Sequence, residues 1–477
     1  MTNVTTRRNA TVATPTAGAP AAGATDTELA GGKKPGMGRV AVASLVGTTI
    51  EFYDFFIYGT AAALVFPALF FPEMTPALAV VASFATFGVA FLARPLGAIF
   101  FGHFGDSIGR KKTLVWTLLI MGIATILIGV LPGANTGVFG LFESGIGVLA
   151  PISLVVLRFL QGLAIGGEWA GATLLTAEYA PEGKRGFYGM FPQVGAAIAF
   201  FLSSGTFLVT GLVLGDKSDA FMDYGWRIPF LLSIVMVVVG LYVRTAISET
   251  PAFQKQKERE AAARNTIAEE KVRLPFAATF KEQWREVVIG GIACSAIFSM
   301  FYMGTSYLTA YGTKILEHSR TEVLAMGMTA SVIFGAVIMG AAILSDRIGR
   351  RNVMLMSTIG TLLLSPVIFM IMDQGSLLAF GAGLTLTLVI FAMSYGPAGA
   401  LLPEMFSTKN RYTGAGMAYN LAAIIGGAVP PLLAPQIAAE YGGVGVGLMM
   451  SVVGLIATCG ALLLKKKTHT ASIDATA

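Results

Sequence analysis

The chain has 477 residues, of which 55% are hydrophobic and only 13% charged, with a mean hydropathy of +0.71 and a formal net charge of +6. Soluble domains carry about 25% charged residues, so this composition excludes a cytosolic enzyme, a nucleic-acid binder and a disordered chain. The two cysteines, Cys294 and Cys459, lie in apolar stretches and form neither a disulfide framework nor a zinc pattern.

Residues 1–39 are rich in Ala, Thr, Gly and Pro and hold no sizeable apolar run, which predicts a disordered tail without a signal-peptide core. A membrane-spanning helix needs ~20 mostly apolar residues. Six runs of that kind follow at 40–66, 77–104, 113–142, 148–177, 186–215 and 227–243. Six more lie at 287–313, 323–345, 352–372, 374–403, 412–439 and 441–464. The expectation is an all-α membrane protein of twelve transmembrane helices. It divides into a first six-helix bundle over 40–247, a charged cytoplasmic linker over 248–285, a second bundle over 286–464 and a cytoplasmic tail over 465–477. Within the linker, 253–271 is rich in Ala, Glu, Lys and Gln and predicts an amphipathic helix along the membrane face.

The loops alternate in charge. With the N-terminus inside, 27 of the 33 Lys and Arg fall on the inner side, and only Lys217, Arg227, Lys314 and Arg320 on the outer. The positive-inside rule therefore puts both termini in the cytoplasm.

The inner loops also repeat. Asp106-Ser107-Ile108-Gly109-Arg110-Lys111 after the second span is matched by Asp346-Arg347-Ile348-Gly349-Arg350-Arg351 after the eighth. Glu178 and Arg185 at the fourth exit are seven apart, as are Glu404 and Arg411 at the tenth. The two halves are thus two copies of one design.

The string Gly102-x-x-x-Asp106-x-x-Gly109-Arg110-Lys111-Lys112 resembles the signature loop of the major facilitator superfamily. In the second copy Ala342 replaces the leading Gly. Ile50-Glu51-Phe52-Tyr53-Asp54-Phe55, Arg94-Pro95-Leu96-Gly97, Arg158-Phe159-Leu160-Gln161-Gly162 and Gly166-Gly167-Glu168-Trp169 resemble the metabolite:proton symporters within it, as does Glu249-Thr250-Pro251-Ala252-Phe253. Members of that family carry shikimate, 2-oxoglutarate, citrate or proline and betaine. The second span and its loop resemble the shikimate carriers most, although Glu51-Phe52 stands where those tend to have Asp-Trp. The resemblance covers about 40–464. It implies a monomeric carrier in the lipid bilayer of the cell membrane, whose partners are a small-molecule substrate and protons, with no cofactor. It also implies a gate of charge pairs at the cytoplasmic edge among Asp106, Arg110, Asp346 and Arg350. We add the matched exits Glu178, Arg185, Glu404 and Arg411 to that gate.

Charges inside spans point to the chemistry. A charge in the hydrocarbon core costs ~2.5–3.5 kcal/mol on insertion scales, so each needs a partner, a water-filled cavity or a bound proton. Glu51 and Asp54 share a helix face at i, i+3. Two such carboxylates resist joint ionisation, so one is expected to take up a proton. Arg158 in the fourth span reaches similar depth and offers a fork for a carboxylate. The expectation is proton coupling at Asp54 or Glu51 and substrate binding at Arg158, all three lining a solvent-reachable chamber; a permanent structural ion pair is the alternative. Glu168 is either a second proton site or an anchor for the basic loop. Arg94 could face the cavity, but it is expected to snorkel inward or to pair with a helix end. Tyr53, Gln161, Gln193, Tyr302 and Asn420 are candidate substrate contacts, each also fit for interhelical bonding. Gly162 and Gly166 read as a close-packing pair. The functional expectation is proton symport of a small organic acid such as shikimate or a di- or tricarboxylate. Symport of proline or betaine, and drug/proton antiport, are the alternatives.

Overall fold

A computed structural model describes residues 37–108, 110–138, 143–166, 180, 184–215, 218–246, 275–407 and 410–465. Glu168, Glu178, the side chains of Asp106 and Arg110, and the helix expected over 253–271 lie outside the described residues.

The first half holds α1 (Met37–Leu64), the short α2 (Phe66–Phe70), α3 (Pro76–Ile108), α4 (Arg110–Gly129), α5 (Leu149–Ile165), α6 (Arg185–Leu214) and α7 (Arg227–Ala246). The second holds α8 (Pro275–Tyr302), α9 (Leu308–Lys314), α10 (Arg320–Ile348), α11 (Arg350–Met372), α12 (Leu377–Met405), α13 (Arg411–Ala422) and α14 (Val429–Leu463). Single π-helical turns at Met303–Tyr307 and Ala423–Ala428 join α8 to α9 and α13 to α14. Among the described residues, eight helical stretches are long and apolar enough to cross a membrane. One of them, Thr413–Leu463, makes two crossings because Gly442 takes φ 66°, a left-handed conformation that costs Gly nothing. With α1, α4 and α5 the crossings number twelve. Residues 167–177 of the fourth run lie outside the described residues, and α8 begins at Pro275, inside the segment read as linker.

The side-chain pattern is that of a protein dissolved in lipid. On α3, Leu92, Leu96 and Phe100 point outward and are more than half exposed, while Phe84, Phe87, Phe91 and Arg94 on the opposite face are buried. Lipid tails are as apolar as leucine, so burying such side chains gives helices little drive to associate; close packing and polar bonds hold them. Gly162 lets α5 press on α3: a Cβ there would stand 2.7 Å from the Ala90 Cα, and one at Gly166 would stand 2.7 Å from the Ala98 nitrogen. The expected close-packing pair is thus met, and it fixes α3 and α5, which carry Arg94 and Arg158, side by side.

Between the halves, α6 packs along both α1 and α10. Rings of α1 and α3 interlock with rings of α8: Phe52 and Phe56 meet Phe301, with centroids 5.6 and 5.2 Å apart, and Phe91 meets Tyr302 at 4.8 Å.

Candidate substrate and proton site

The face of α1 that carries Glu51, Asp54, Phe55 and Tyr58 follows helical spacing and is buried. Asp54 does not touch Arg158 directly. A relay of hydrogen bonds joins them. Arg158 Nη1 donates to Gln161 Oε1 at 3.0 Å, Gln161 Nε2 donates to Thr125 Oγ1 at 2.6 Å, and Thr125 Oγ1 donates to Asp54 Oδ2 at 3.0 Å. Arginine has only donors, which orients the Gln161 amide: its oxygen must face Arg158 and its nitrogen Thr125. The Arg158 guanidinium lies over the rings of Tyr58, Phe55 and Phe87 at 4.0, 4.3 and 4.8 Å. Such faces stabilise a desolvated cation by about 2 kcal/mol.

Three atoms of this cluster are buried without a hydrogen-bond partner: Arg158 Nε, Arg158 Nη2 and Asp54 Oδ1. Nε and Nη2 form one edge of the guanidinium, the edge that a carboxylate meets with both oxygens. Gln161 holds the other side and leaves that edge open. An arrangement of this kind binds an anion and holds a carboxylate beside it.

Glu51, Asp54 and Arg158 are 5%, 2% and 1% exposed, so none faces lipid. The solvent-reachable chamber expected around them is closed in this conformation, because the interlocked rings of the two halves cover the site. Glu51 lies within electrostatic reach of Tyr302 and Tyr419 of the second half.

The uncharged candidates separate. Gln161 belongs to the relay. Tyr302 sits against Phe55, Phe87 and Phe91, its hydroxyl without a hydrogen bond. Gln193 of α6 donates to the Tyr395 carbonyl of α12 at 2.9 Å, and Asn420 of α13 donates to the Gly166 carbonyl at 3.5 Å, so both tie the halves together. The Tyr53 hydroxyl points away from the relay and donates to the Pro229 carbonyl of α7 at 3.1 Å. Arg94 does not snorkel. It stays buried, 5.0 Å from the centroids of both Phe55 and Phe91. The sequence reading missed Thr125, Phe55 and Tyr58. A threonine or an aromatic in an apolar run gives no signal until its neighbours are known.

At the basic end of the bundle, Gly349 takes φ 93° and turns α10 into α11, so that Arg350 folds back. Arg350 donates from Nη1 to Asp346 at 3.1 Å and from Nε to Glu404 at 2.9 Å. Asp346 also accepts from the backbone nitrogens of Gly186 and Phe187, both at 3.0 Å. It thereby caps the start of α6 in the other half. Arg185 is buried at the same helix start, and Arg411 donates from Nε to the Pro403 carbonyl at 3.1 Å.

Comparison with known proteins agrees with this architecture. The family model described as sugar (and other) transporter matches residues 40–474. The chain is 43% identical to the inner membrane metabolite transport protein YhjE of Escherichia coli strain K12, over 90% of this chain and 94% of that protein. It is 37% identical to the shikimate transporter of the same organism, over 90% and 94%. Identity to its proline/betaine transporter is 33%, over 83% and 77%. A solved structure of the xylose transporter XylE from E. coli, in a partially occluded inward-open conformation, superposes with a TM-score of 0.68 at 16% identity. That match covers 89% of this chain and 96% of the other, and it concerns the fold alone. The chain is a multi-pass inner-membrane transporter, not an enzyme, and it belongs to the sugar (and other) transporter family of the major facilitator superfamily.

Proposed function

We propose that the chain is a proton-coupled uptake carrier for a small organic acid. The observation that carries this reading is the open Nε/Nη2 edge of Arg158, wired through Gln161 and Thr125 to Asp54. Arg158 stays charged and takes the carboxylate of the substrate. Asp54 takes the proton, which cancels its charge and lets the anion and Arg158 pair without a competing carboxylate. A loaded site is then nearly neutral, which lowers the cost of crossing the membrane centre.

The same cluster favours an acid over betaine. Aromatic faces recognise a quaternary ammonium, but here the rings of Phe55, Tyr58, Phe87 and Phe91 already face Arg158 or Arg94. A substrate cation seated there meets two like charges.

Alternating access follows from two halves that close over the site. The basic end is the cytoplasmic end, with both termini inside. There Asp346, Arg350, Glu404 and the start of α6 act as the inner gate, and the carrier works as a monomer.

Proteoliposome uptake of a panel of acids, proline and betaine, with and without an inward proton gradient, tests the reading. Acid uptake should follow the gradient. Asp54→Asn should lose gradient-driven accumulation yet keep acid exchange, and Arg158→Gln should lose both. Betaine uptake alone, substrate-driven proton release, or full accumulation by Asp54→Asn would defeat it.

A further inference from the structure

Resting on the uptake reading above, we propose that Arg94 is the receptor for a second acidic group, so that the preferred substrates are dicarboxylates held between Arg94 and Arg158.

Two arginines converge on one ring. Arg158 stands 4.3 Å and Arg94 5.0 Å from the Phe55 centroid. Their helices meet this closely because Gly162 and Gly166 remove the side chains between α5 and α3. Both arginines are more than nine-tenths buried, and Nε of each has no hydrogen-bond partner. Among the described residues, neither forms an ion pair. The Asp54 oxygen that bonds is taken by Thr125.

Two buried guanidiniums this close repel one another, and among the described residues neither is in direct contact with a carboxylate, although Asp54 lies within electrostatic reach of Arg158. A monocarboxylate on Arg158 neutralises one and leaves Arg94 as before. A dicarboxylate neutralises both. The Tyr302 hydroxyl lies within electrostatic reach of both arginines and comes from the second half. A bound diacid therefore touches both halves, as a ligand must if its arrival is to move one against the other. Arg94 lies about four turns from the nearer end of its own helix, since α3 runs on to Ile108.

The test compares each acid with its half-amide, which keeps size and shape but removes one charge. Uptake of labelled succinate, succinamate, glutarate and glutaramate is measured in proteoliposomes of the full chain under an inward proton gradient. For the wild type, KM for each diacid should be about ten- to a hundredfold below that of its half-amide, the value of one charge-assisted contact. Arg94→Gln should bring the two within about twofold by raising KM for the diacid, while half-amide uptake persists. Arg94→Lys should restore part of the preference. A half-amide that matches its diacid in the wild type would overturn the assignment and leave acid uptake standing. So would an undiminished diacid preference in Arg94→Gln. Should that variant not fold, the wild-type comparison decides alone. Failure to take up any acid would overturn the uptake reading and this assignment together.

Discussion

The Asp346 carboxylate lies 3.0 Å from the backbone nitrogen of Gly186, a residue 160 positions away in the other half. With the matching bond to Phe187 it caps a helix across the interface. The first peptide groups of a helix have no internal partner and carry partial positive charge. Closure at this end thus uses backbone that any opening must expose.

Asp346→Ala removes both caps and one of the two carboxylate partners of Arg350. We expect it to weaken closure by about 1–2 kcal/mol, roughly a tenfold shift towards the conformation open at this end. Maleimide labelling of Ala196→Cys, a buried position on α6, in a background lacking Cys294 and Cys459, reads the opening. Labelling should accelerate several-fold when Asp346→Ala is added, and equal rates would count against the latch.

The relay makes a second prediction. Thr125→Val keeps the shape of the side chain but strips a donor from Asp54 and an acceptor from Gln161. Each buried group left unbonded costs about 1–3 kcal/mol. The variant should melt earlier in detergent and raise KM for its acid. Thr125→Ser keeps the hydroxyl and should recover most of both. If serine is no better than valine, the hydroxyl is not the cause.

Helix packing makes a third. Gly162→Val drives a branched side chain into the Ala90 backbone, and overpacking of this kind costs at least about 1–3 kcal/mol. Because α3 and α5 carry the two arginines, the expected result is loss of monodisperse protein, or folded protein without acid binding. Wild-type uptake by this variant would show that the contact is slack.

Tyr53→Phe makes a fourth. Its hydroxyl bonds the Pro229 carbonyl rather than the relay. The net cost should be about 0.5–1.5 kcal/mol of stability, read as a small drop in melting temperature. KM should stay within about twofold of wild type; a larger change would place the side chain in the substrate path.

Part of the candidate site was legible in the sequence because charge in an apolar run is conspicuous. Glu51, Asp54 and Arg158 stand out for that reason alone, and all three are buried in the helix bundle. Their partners were not legible. Thr125 and Phe55 are ordinary residues for a membrane helix, and only the packing of α4 on α5 and of α5 on α3, with the Thr125 hydrogen bond to Asp54 of α1, gives them a role. The snorkelling expected of Arg94 failed on the same ground: the length of its side chain allows it, and nothing in the linear order says that Phe55 and Phe91 flank it.

The sequence by itself determined the all-helical membrane fold of twelve crossings and the concentration of basic residues at one end. Hydrophobicity and charge add up locally along a chain, so these features need no knowledge of neighbours. The tertiary structure alone decided who bonds whom: that Asp54 reaches Arg158 through two other side chains, that Arg94 shares a ring with it, and that Asp346 caps a helix in the opposite half. Each residue turns the helix by about 100°, so these contacts depend on how separate helices are rotated and pressed together, which no single span records.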